Sequence, residues 1–382
     1  MARPKKTPPK TAAGAKRRRL AEVLFASADV ERLEANATLP AKFERMLGQL
    51  PMERVCKGAT VALKMHLGGH LGYTTIPPLF VRMLVQKIKD AGARSVFVTD
   101  GVGSAASAVA RGYTAEVLGA PIIGAAGAGD KYFYKRKVRY KTLRELQICG
   151  NLVDADALIN FSHFKGHGAC GYGGACKNLA MGGVSGGTRG ALHYLEGGLV
   201  WDRKRCVACK RCVEACRHNA AHWDDAEKRL TIFFHNCVYC RHCVLVCPKG
   251  AFRIEGGGFV PFMHGLALAA KEVLRTFDPA RVLHINILTQ ITMLCDCWGF
   301  STRPLIPDVG ILASEDIVAV DKASLDLTRD GQPMPGSLPK DREPVPGRHL
   351  FERVHAKDPY IQIARMEAVG LGTSMYRLRE IR

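Results

Sequence analysis

The chain has 382 residues, which is enough for two or three domains and for a core that needs no disulfide bonds. Apolar residues make up 47% of the sequence and charged residues 24%. The apolar runs end well before the roughly 18 residues that a membrane-spanning helix requires. These properties exclude a peptide-sized, fibrous or membrane-spanning protein, and no targeting signal is apparent.

The formal charge of +20 is concentrated at the N-terminus, where the first twenty positions hold eight basic residues and no acidic one. Pro, Lys, Ala and Gly fill this segment without periodicity, so we predict a disordered basic tail over residues 1–20. Without the tail the formal charge is +12, an excess that suits docking to acidic partners. The tail contains no aromatic residue, so its composition disfavours a nucleic-acid partner.

The globular part begins with alternating strand and helix patterns. Apolar runs predict strands over 60–65, 95–99 and 157–161. Between the first two, Pro77 and Pro78 precede apolar residues at three- and four-residue spacing up to Ile88, which predicts a helix. This order predicts an α/β fold with a mostly parallel sheet.

The composition changes between residues 199 and 258, where cysteines, basic residues and short turns replace that pattern. The α/β pattern then resumes, with a helix expected over 263–276, strands over 281–286 and 317–320, and a short helix over 321–327. A Pro-rich coil and a helical stretch over 361–369 follow. We therefore predict one α/β domain, interrupted by a small α+β module, with these boundaries: tail 1–20, first part 21–198, module 199–258, second part 259–330, and coil with C-terminal helical segment 331–382.

Eight of the fourteen cysteines lie in two runs of identical spacing, C-x2-C-x2-C-x3-C. The first run is Cys206, Cys209, Cys212 and Cys216, and the second is Cys237, Cys240, Cys243 and Cys247, which Pro248 follows. This is the spacing of bacterial two-cluster ferredoxins, in which the fourth cysteine of each run binds the other cluster. A zinc site would use two pairs per ion and leave the regular third and fourth cysteines unexplained.

This spacing predicts two [4Fe-4S] clusters in a ferredoxin-like module. The first cluster would be held by Cys206, Cys209, Cys212 and Cys247, and the second by Cys237, Cys240, Cys243 and Cys216. The thiols must stay reduced to bind metal, so we expect a cytoplasmic protein of a prokaryote.

A second group of polar residues lies outside the cysteine runs. His163, Lys165 and His167 follow the strand 157–161, at the end where parallel sheets bind ligands. We expect these residues and Asp296 to take catalytic roles, with Asp308 nearby and His66 and His70 as further candidates. A Gly-rich turn then offers a cofactor or anion site. Its residues are Gly173, Gly174, Lys177 and Asn178.

Two cysteines one residue apart, Cys295 and Cys297, flank Asp296. They can bind one metal ion or remain thiols, and the sequence leaves both possibilities open. Cys56 and Cys149, which belong to no pattern, are expected to be small buried apolar residues.

Several motifs in this order resemble the iron-sulfur centre proteins that are grouped under a domain of unknown function. The resemblance covers roughly residues 21–330 and implies a cytosolic prokaryotic protein with a ferredoxin module set into an α/β domain. It implies no particular reaction. The motifs that carry it, besides the cysteine runs, are Val61–His66, His163–His167, Gly173–Gly182, Cys295–Trp298 and Pro307–Ser314.

The sequence thus predicts electron transfer through two clusters, coupled to an unidentified redox reaction of a small molecule at the α/β domain, as in a ferredoxin-type oxidoreductase. A non-enzymatic electron carrier or an assembly partner of a redox complex is the alternative. An iron-sulfur nucleic-acid-binding protein is less well supported. A redox partner protein is expected in each of the first two cases.

Overall fold

The computed structural model describes residues 20–69, 71–217, 219–234, 236–237, 242–255, 259–340 and 344–382. The predicted basic tail lies outside the described residues except for Leu20. The described residues form sixteen strands: β1 Ala21–Ser27, β2 Thr60–Met65, β3 Ser95–Asp100, β4 Ile122–Gly124, β5 Phe133–Tyr140, β6 Leu143–Cys149, β7 Ala157–His163, β8 Lys165–His167, β9 Gly171–Gly173, β10 Gly198–Trp201, β11 Ala221–Asp224, β12 Arg229–Ile232, β13 Phe252–Glu255, β14 Val282–Leu288, β15 Gly310–Ser314 and β16 Tyr376–Glu380.

Fourteen α-helices accompany these strands in the part of the chain that the structure describes. They are α1 Leu39–Gln49, α2 Met52–Cys56, α3 Pro78–Asp90, α4 Val102–Ala106, α5 Ala115–Leu118, α6 Gly150–Val153, α7 Ala175–Gly182, α8 Gly186–Tyr194, α9 Arg211–Glu214, α10 His242–Leu245, α11 Phe259–Leu274, α12 Ile317–Thr328, α13 Leu350–His355 and α14 Tyr360–Ala368. Among all described residues, no helix is both long enough and apolar enough to cross a membrane.

Eight strands form one large sheet in the order β16-β1-β15-β14-β7-β2-β3-β4. Five of the seven neighbouring pairs are parallel, and only β15 runs antiparallel to both of its neighbours. The prediction of an α/β fold with a mostly parallel sheet is therefore confirmed.

The sheet is buried on both faces because alternate residues of each strand point to opposite layers of helices. On β2, Val61 and Leu63 pack with helices α1, α2 and α3, whereas Ala62 packs with α7, α11 and α12. These central strands are therefore continuous apolar runs, and the sequence pattern identified four of them, β2, β3, β7 and β14.

The prediction of a strand over 317–320 is wrong, because these residues begin helix α12. Asp316 caps the helix through one carboxylate oxygen, which accepts hydrogen bonds from the amides of Val318 at 2.9 Å and Ala319 at 3.0 Å. The adjacent strand is β15, which ends at Ser314, three residues before the helix begins at Ile317. A short apolar run does not by itself distinguish a buried strand from a buried helix. Here the cap that Asp316 provides favours the helix.

The first and last strands of the described residues, β1 and β16, lie side by side at one edge of the main sheet. Strand β16 pairs in parallel with β1, and Ala21 lies opposite Tyr376. Neither strand was predicted, and the segment 331–382 was expected to hold only coil and a helical stretch. Helices α13 and α14 lie within that segment, the second of them close to the predicted stretch 361–369.

Residues 199–258 contain two short antiparallel pairs, β10 with β13 and β11 with β12, together with helices α9 and α10. They have a small apolar core of their own, to which Leu230, Phe252 and Ile254 contribute. This segment, hereafter the cysteine module, lies in the chain between α8 and α11.

Candidate functional site

A cleft of about 570 Å³ opens at the carboxyl ends of β2, β3 and β7. Parallel sheets bring successive strand ends to one edge, so the residues that follow these strands meet there. The cleft is strongly basic. Its basic lining residues are Lys64, Lys165, Lys177, Arg189, His66, His163, His167 and His193.

One wall of the cleft is built on a buried ion pair. Lys64 Nζ lies 2.9 Å from Asp100 Oδ1, and both side chains are almost fully buried. Burial alone raises the pKa of the Asp100 carboxyl, but the neighbouring Lys64 and His66 outweigh burial and hold the pKa well below its usual range. Asp100 is therefore a carboxylate.

The same carboxylate orients His66. Its Nδ1–H donates to Asp100 Oδ2 at 2.8 Å, since a carboxylate can only accept. This bond leaves the lone pair of the imidazole on Nε2, for which the described residues provide no hydrogen-bond partner. An imidazole held in this way can take up or release a proton.

His163 differs from His66 because both of its ring nitrogens face acceptors. Nδ1 lies 2.8 Å from Asp296 Oδ2, and Nε2 lies 2.9 Å from the carbonyl oxygen of Thr289. Lys165 completes the group, with Nζ 2.8 Å from the His163 carbonyl and 3.1 Å from Asp296 Oδ2. His163 therefore contacts Asp296 through one ring nitrogen and the Thr289 carbonyl through the other.

The pKa of the Asp296 carboxyl agrees with these contacts. Burial raises the pKa of the Asp296 carboxyl, but the charges of His163 and Lys165 oppose it and bring the pKa well below the ordinary range. Asp296 is 1% exposed, so its charge is stabilised by neighbouring side chains and not by water.

His167 also lines the cleft and lies close to the two cysteines that flank Asp296. One ligand atom of each of His167, Cys295 and Cys297 lies within 4.8 Å of the other two. Lys177 Nζ lies 3.2 Å from Cys295 Sγ and 3.8 Å from Cys297 Sγ. Burial raises the pKa of Cys295, but a hydrogen bond from Cys297 and the charge of Lys177 outweigh burial and lower the pKa well below its ordinary value.

The Gly-rich turn is fixed by a buried carboxylate. Asp321 accepts the amides of Ala175 at 2.7 Å and Cys176 at 3.0 Å, which caps helix α7. A Cβ on Gly174 would lie only 2.5 Å from Asp321 Oδ1. The protein itself therefore uses both of these amides, and among the predicted anion-binding groups of the turn Lys177 is the one that offers charge to the cleft.

The other predicted residues are placed as follows. Asn178 and Gly173 line the cleft, but Asn178 is engaged by Lys64, whose Nζ donates to its Oδ1 at 2.7 Å. Asp308 is not among the residues lining the cleft and accepts the Gln290 amide at 2.6 Å. His70 lies outside the described residues.

In the cysteine module, Cys206, Cys209 and Cys212 line one cavity together with Cys247, which comes from the other run. Apolar and basic residues surround these four thiols, and among the described residues no carboxylate lines the cavity. The Cys247 sulfur accepts the amide of Ala251 at 3.2 Å.

The second set of cysteines is described in part. Cys237 and Cys243 are buried in the apolar core of the module, and Cys216 packs against that core. The Cys216 sulfur accepts the amide of Ala220 at 3.3 Å, which matches the bond at Cys247. Cys240 lies outside the described residues.

The cysteine module and the cleft are joined by an aromatic contact. Phe233 lies four residues before Cys237, and its ring packs edge to face on Trp298 with centroids 5.0 Å apart. Trp298 directly follows Cys297, which lines the cleft.

Sequence reasoning did not identify Asp100 or Arg189 as residues of the cleft. Asp100 ends β3, so its position at the end of a predicted strand was an available signal. Arg189 lies on helix α8 and gave no such signal.

The chain belongs to the family described as Domain of unknown function (DUF362), which matches residues 61–326. It is 30% identical over 124 residues to Protein NrfC of Escherichia coli, covering 28% of this chain and 55% of that protein. It is 32% identical over 64 residues to a protein of Dehalococcoides mccartyi named archaeal-type glutamate synthase [NADPH], covering 16% of this chain and 13% of that protein. The chain thus spans little more than half, or less, of these relatives.

Among solved structures, the lactate racemase apoprotein from Thermoanaerobacterium thermosaccharolyticum aligns over 70% of this chain and 51% of its own, with a TM-score of 0.32 and 12% identity. The cysteine content and the similarity to NrfC allow an iron-sulfur cofactor.

Proposed function

We propose that the protein transfers electrons through two [4Fe-4S] clusters to a redox reaction in the basic cleft. The observation that carries this proposal is the cavity where Cys206, Cys209 and Cys212 meet Cys247. Because Cys247 belongs to the other run, this grouping supports the crossed arrangement that the spacing predicts. By the same pattern, Cys237, Cys240, Cys243 and Cys216 hold the second cluster.

The surroundings of the thiols suit such a cluster. Four thiolates around iron and sulfide carry a net negative charge, and Lys210 and Lys249 lie at the same cavity. The hydrogen bonds that backbone amides donate to the sulfurs of Cys216 and Cys247 stabilise negative charge on these sulfurs further. When bound, the clusters would supply single electrons.

A partner protein would deliver these electrons at the exposed face of the module. Cys209 is exposed, as are the neighbouring basic residues Arg203, Lys204 and Arg205. An acidic surface on the partner would complement this patch and accelerate its encounter with the module.

In the cleft, Lys177 and Arg189 would bind an anionic group of the substrate, and His66 would exchange a proton with it. Asp100 fixes the tautomer of His66, while His163 and Lys165 position Asp296 between Cys295 and Cys297. The Phe233–Trp298 contact brings the second cysteine run close to this chemistry.

The crossed ligands can be tested with Cys247→Ser in the full chain, purified anaerobically. We expect this variant to lose the cluster of the Cys206 loop and to keep the other, so that its iron and sulfide fall to about half, as measured by chemical analysis and EPR. Cys56→Ser, which replaces a buried thiol outside both runs, should keep the full content. Loss of the cluster of the Cys237 loop instead would show that each run binds its own cluster.

A further inference from the structure

The triad of His167, Cys295 and Cys297 is separate from both cysteine runs and lies in the α/β domain. Its three ligand atoms lie within 4.8 Å of one another. Around a tetrahedral ion, with metal–sulfur bonds of about 2.3 Å and metal–nitrogen bonds of about 2.0 Å, such atoms stand roughly 3.5–3.8 Å apart. Small side-chain adjustments therefore suffice to bring them to one ion.

We propose that His167, Cys295 and Cys297 bind a thiophilic divalent metal ion at the wall of the cleft, with one coordination position left for a substrate. The donor set of one imidazole and two thiolates is among those that zinc uses in catalytic sites with three protein ligands. This site goes beyond the proposed electron transfer and does not depend on the clusters.

The neighbours of His167 allow its ring proton to lie on Nδ1, which leaves Nε2 available to bind a metal ion. Nδ1 lies 3.1 Å from the Ala169 amide, a donor, and 3.3 Å from the sulfur of Cys170, which can accept. The Cys170 thiol itself donates to the Tyr172 carbonyl at 3.0 Å. Nδ1 can therefore accept from Ala169 without metal and donate to Cys170 once Nε2 binds a metal.

The charges around these three residues also suit a divalent metal ion. A divalent ion with two thiolates is neutral, and Lys177 remains within 3.2 Å of Cys295 to donate to its sulfur. Hydrogen bonds of this kind to ligand sulfurs are typical of the shell around metal centres.

The site is open on one side. His167 and Cys295 are buried, whereas Cys297 is exposed and lines the cleft beside His163 and Lys165. A metal ion here would present its open position to the space where Lys177 and Arg189 attract an anion. The class of ligand that suits both the metal ion and these two basic side chains is a small anion with an oxygen donor, such as a carboxylate.

The test uses the full chain, purified anaerobically, with iron and sulfide measured in every sample. The probe is Zn²⁺, added in slight excess and followed by gel filtration and elemental analysis. We expect about one zinc per chain, and less than a tenth of that in the double variant Cys295→Ser with Cys297→Ser. Cys56→Ala, the matched control for a buried thiol outside the site, should bind zinc like the unaltered protein.

Zinc K-edge absorption spectroscopy of the unaltered protein tests the ligands without any variant. Two sulfurs and one nitrogen in the first shell are expected. Zinc retained in full by the double variant, no zinc bound by the unaltered protein, or a shell of four sulfurs would each overturn the proposal. Because iron and sulfide are measured alongside, failure of the metal site is distinguished from failure of the cluster proposal.

Discussion

The rings of Phe233 and Trp298 meet edge to face with centroids 5.0 Å apart, and they join two parts of the molecule that carry different chemistry. Phe233 belongs to the cysteine module and Trp298 to the loop that supplies Cys297 to the cleft. In the proposed electron transfer, this aromatic contact would lead from the second cysteine run to the cleft.

Removing this contact should loosen the loop of the cleft. In Phe233→Leu we expect faster hydrogen exchange of the amides around Trp298, because an aromatic pair contributes about 0.5–1.5 kcal/mol beyond its buried area. Trp223→Leu is the matched control, since Trp223 packs on Trp201 within the module at 6.1 Å. Equal exchange in Phe233→Leu and the unaltered protein would show that the contact does not hold the loop.

Gly182 should tolerate no side chain. A Cβ at this position would lie 2.3 Å from Lys64 Nζ and 2.8 Å from Asp100 Oδ1, within the buried ion pair. We expect Gly182→Ala to lower the free energy of unfolding by about 2–3 kcal/mol, as overpacking does. Gly190→Ala, also in a helix but with open space around it, should be neutral or stabilise by about 0.5–1 kcal/mol. Denaturant unfolding measures both, and a similar small effect in the two variants would refute the crowding argument.

Stability should fall on mild acidification because His284 is buried. Burial lowers the pKa of His284 to about 3, compared with about 6.5 in an unfolded chain. Between these values the unfolded chain takes up a proton that the folded protein does not, so stability decreases as the pH falls. This residue should account for a loss of about 1 kcal/mol between pH 7 and pH 5.5.

The variant His284→Met should lack that part of the pH dependence. Asn160 Nδ2, which lies 3.1 Å from His284 Nδ1, still donates to the Ala175 carbonyl at 3.0 Å, so its amide is not left without a bond. Denaturant unfolding at the two pH values provides the comparison. An identical loss of stability in the variant would mean that His284 carries no such linkage.

Lys165 should matter for the α/β domain and not for the clusters. Replacing it with Met removes the Lys165 ammonium from the buried Asp296 carboxylate, which should cost about 3–5 kcal/mol of stability. Iron and sulfide should remain as in the unaltered protein, because Lys165 lies outside the module. A parallel loss of iron would show that the two parts do not fold independently.

The sequence predicted the centre of the fold well because burial on both faces leaves a clear pattern. Strands β2, β3 and β7 are apolar runs, and helix α3 has apolar residues at helical spacing. Strands β1 and β16 were missed because neither is a continuous run of buried residues and because they pair across nearly the whole chain. Pairing over such a distance leaves no local signal.

The site was predicted as a set of residues near strand ends, but the role of each depends on contacts that spacing does not specify. His163 ends β7 and His66 directly follows β2, and only the structure distinguishes the roles of the two residues. Both nitrogens of His163 face acceptors, whereas Asp100 leaves Nε2 of His66 with its lone pair. The catalytic roles assigned to His163, Lys165, His167 and Asp296 stay predictions.

The central claim, two [4Fe-4S] clusters in the cysteine module, is tested most directly by iron and sulfide analysis of the unaltered full chain, purified anaerobically, with EPR after reduction. We expect about eight irons and eight sulfides per chain and the EPR signal of two interacting reduced clusters. Two zinc ions bound by the cysteine runs, with no sulfide, would contradict it.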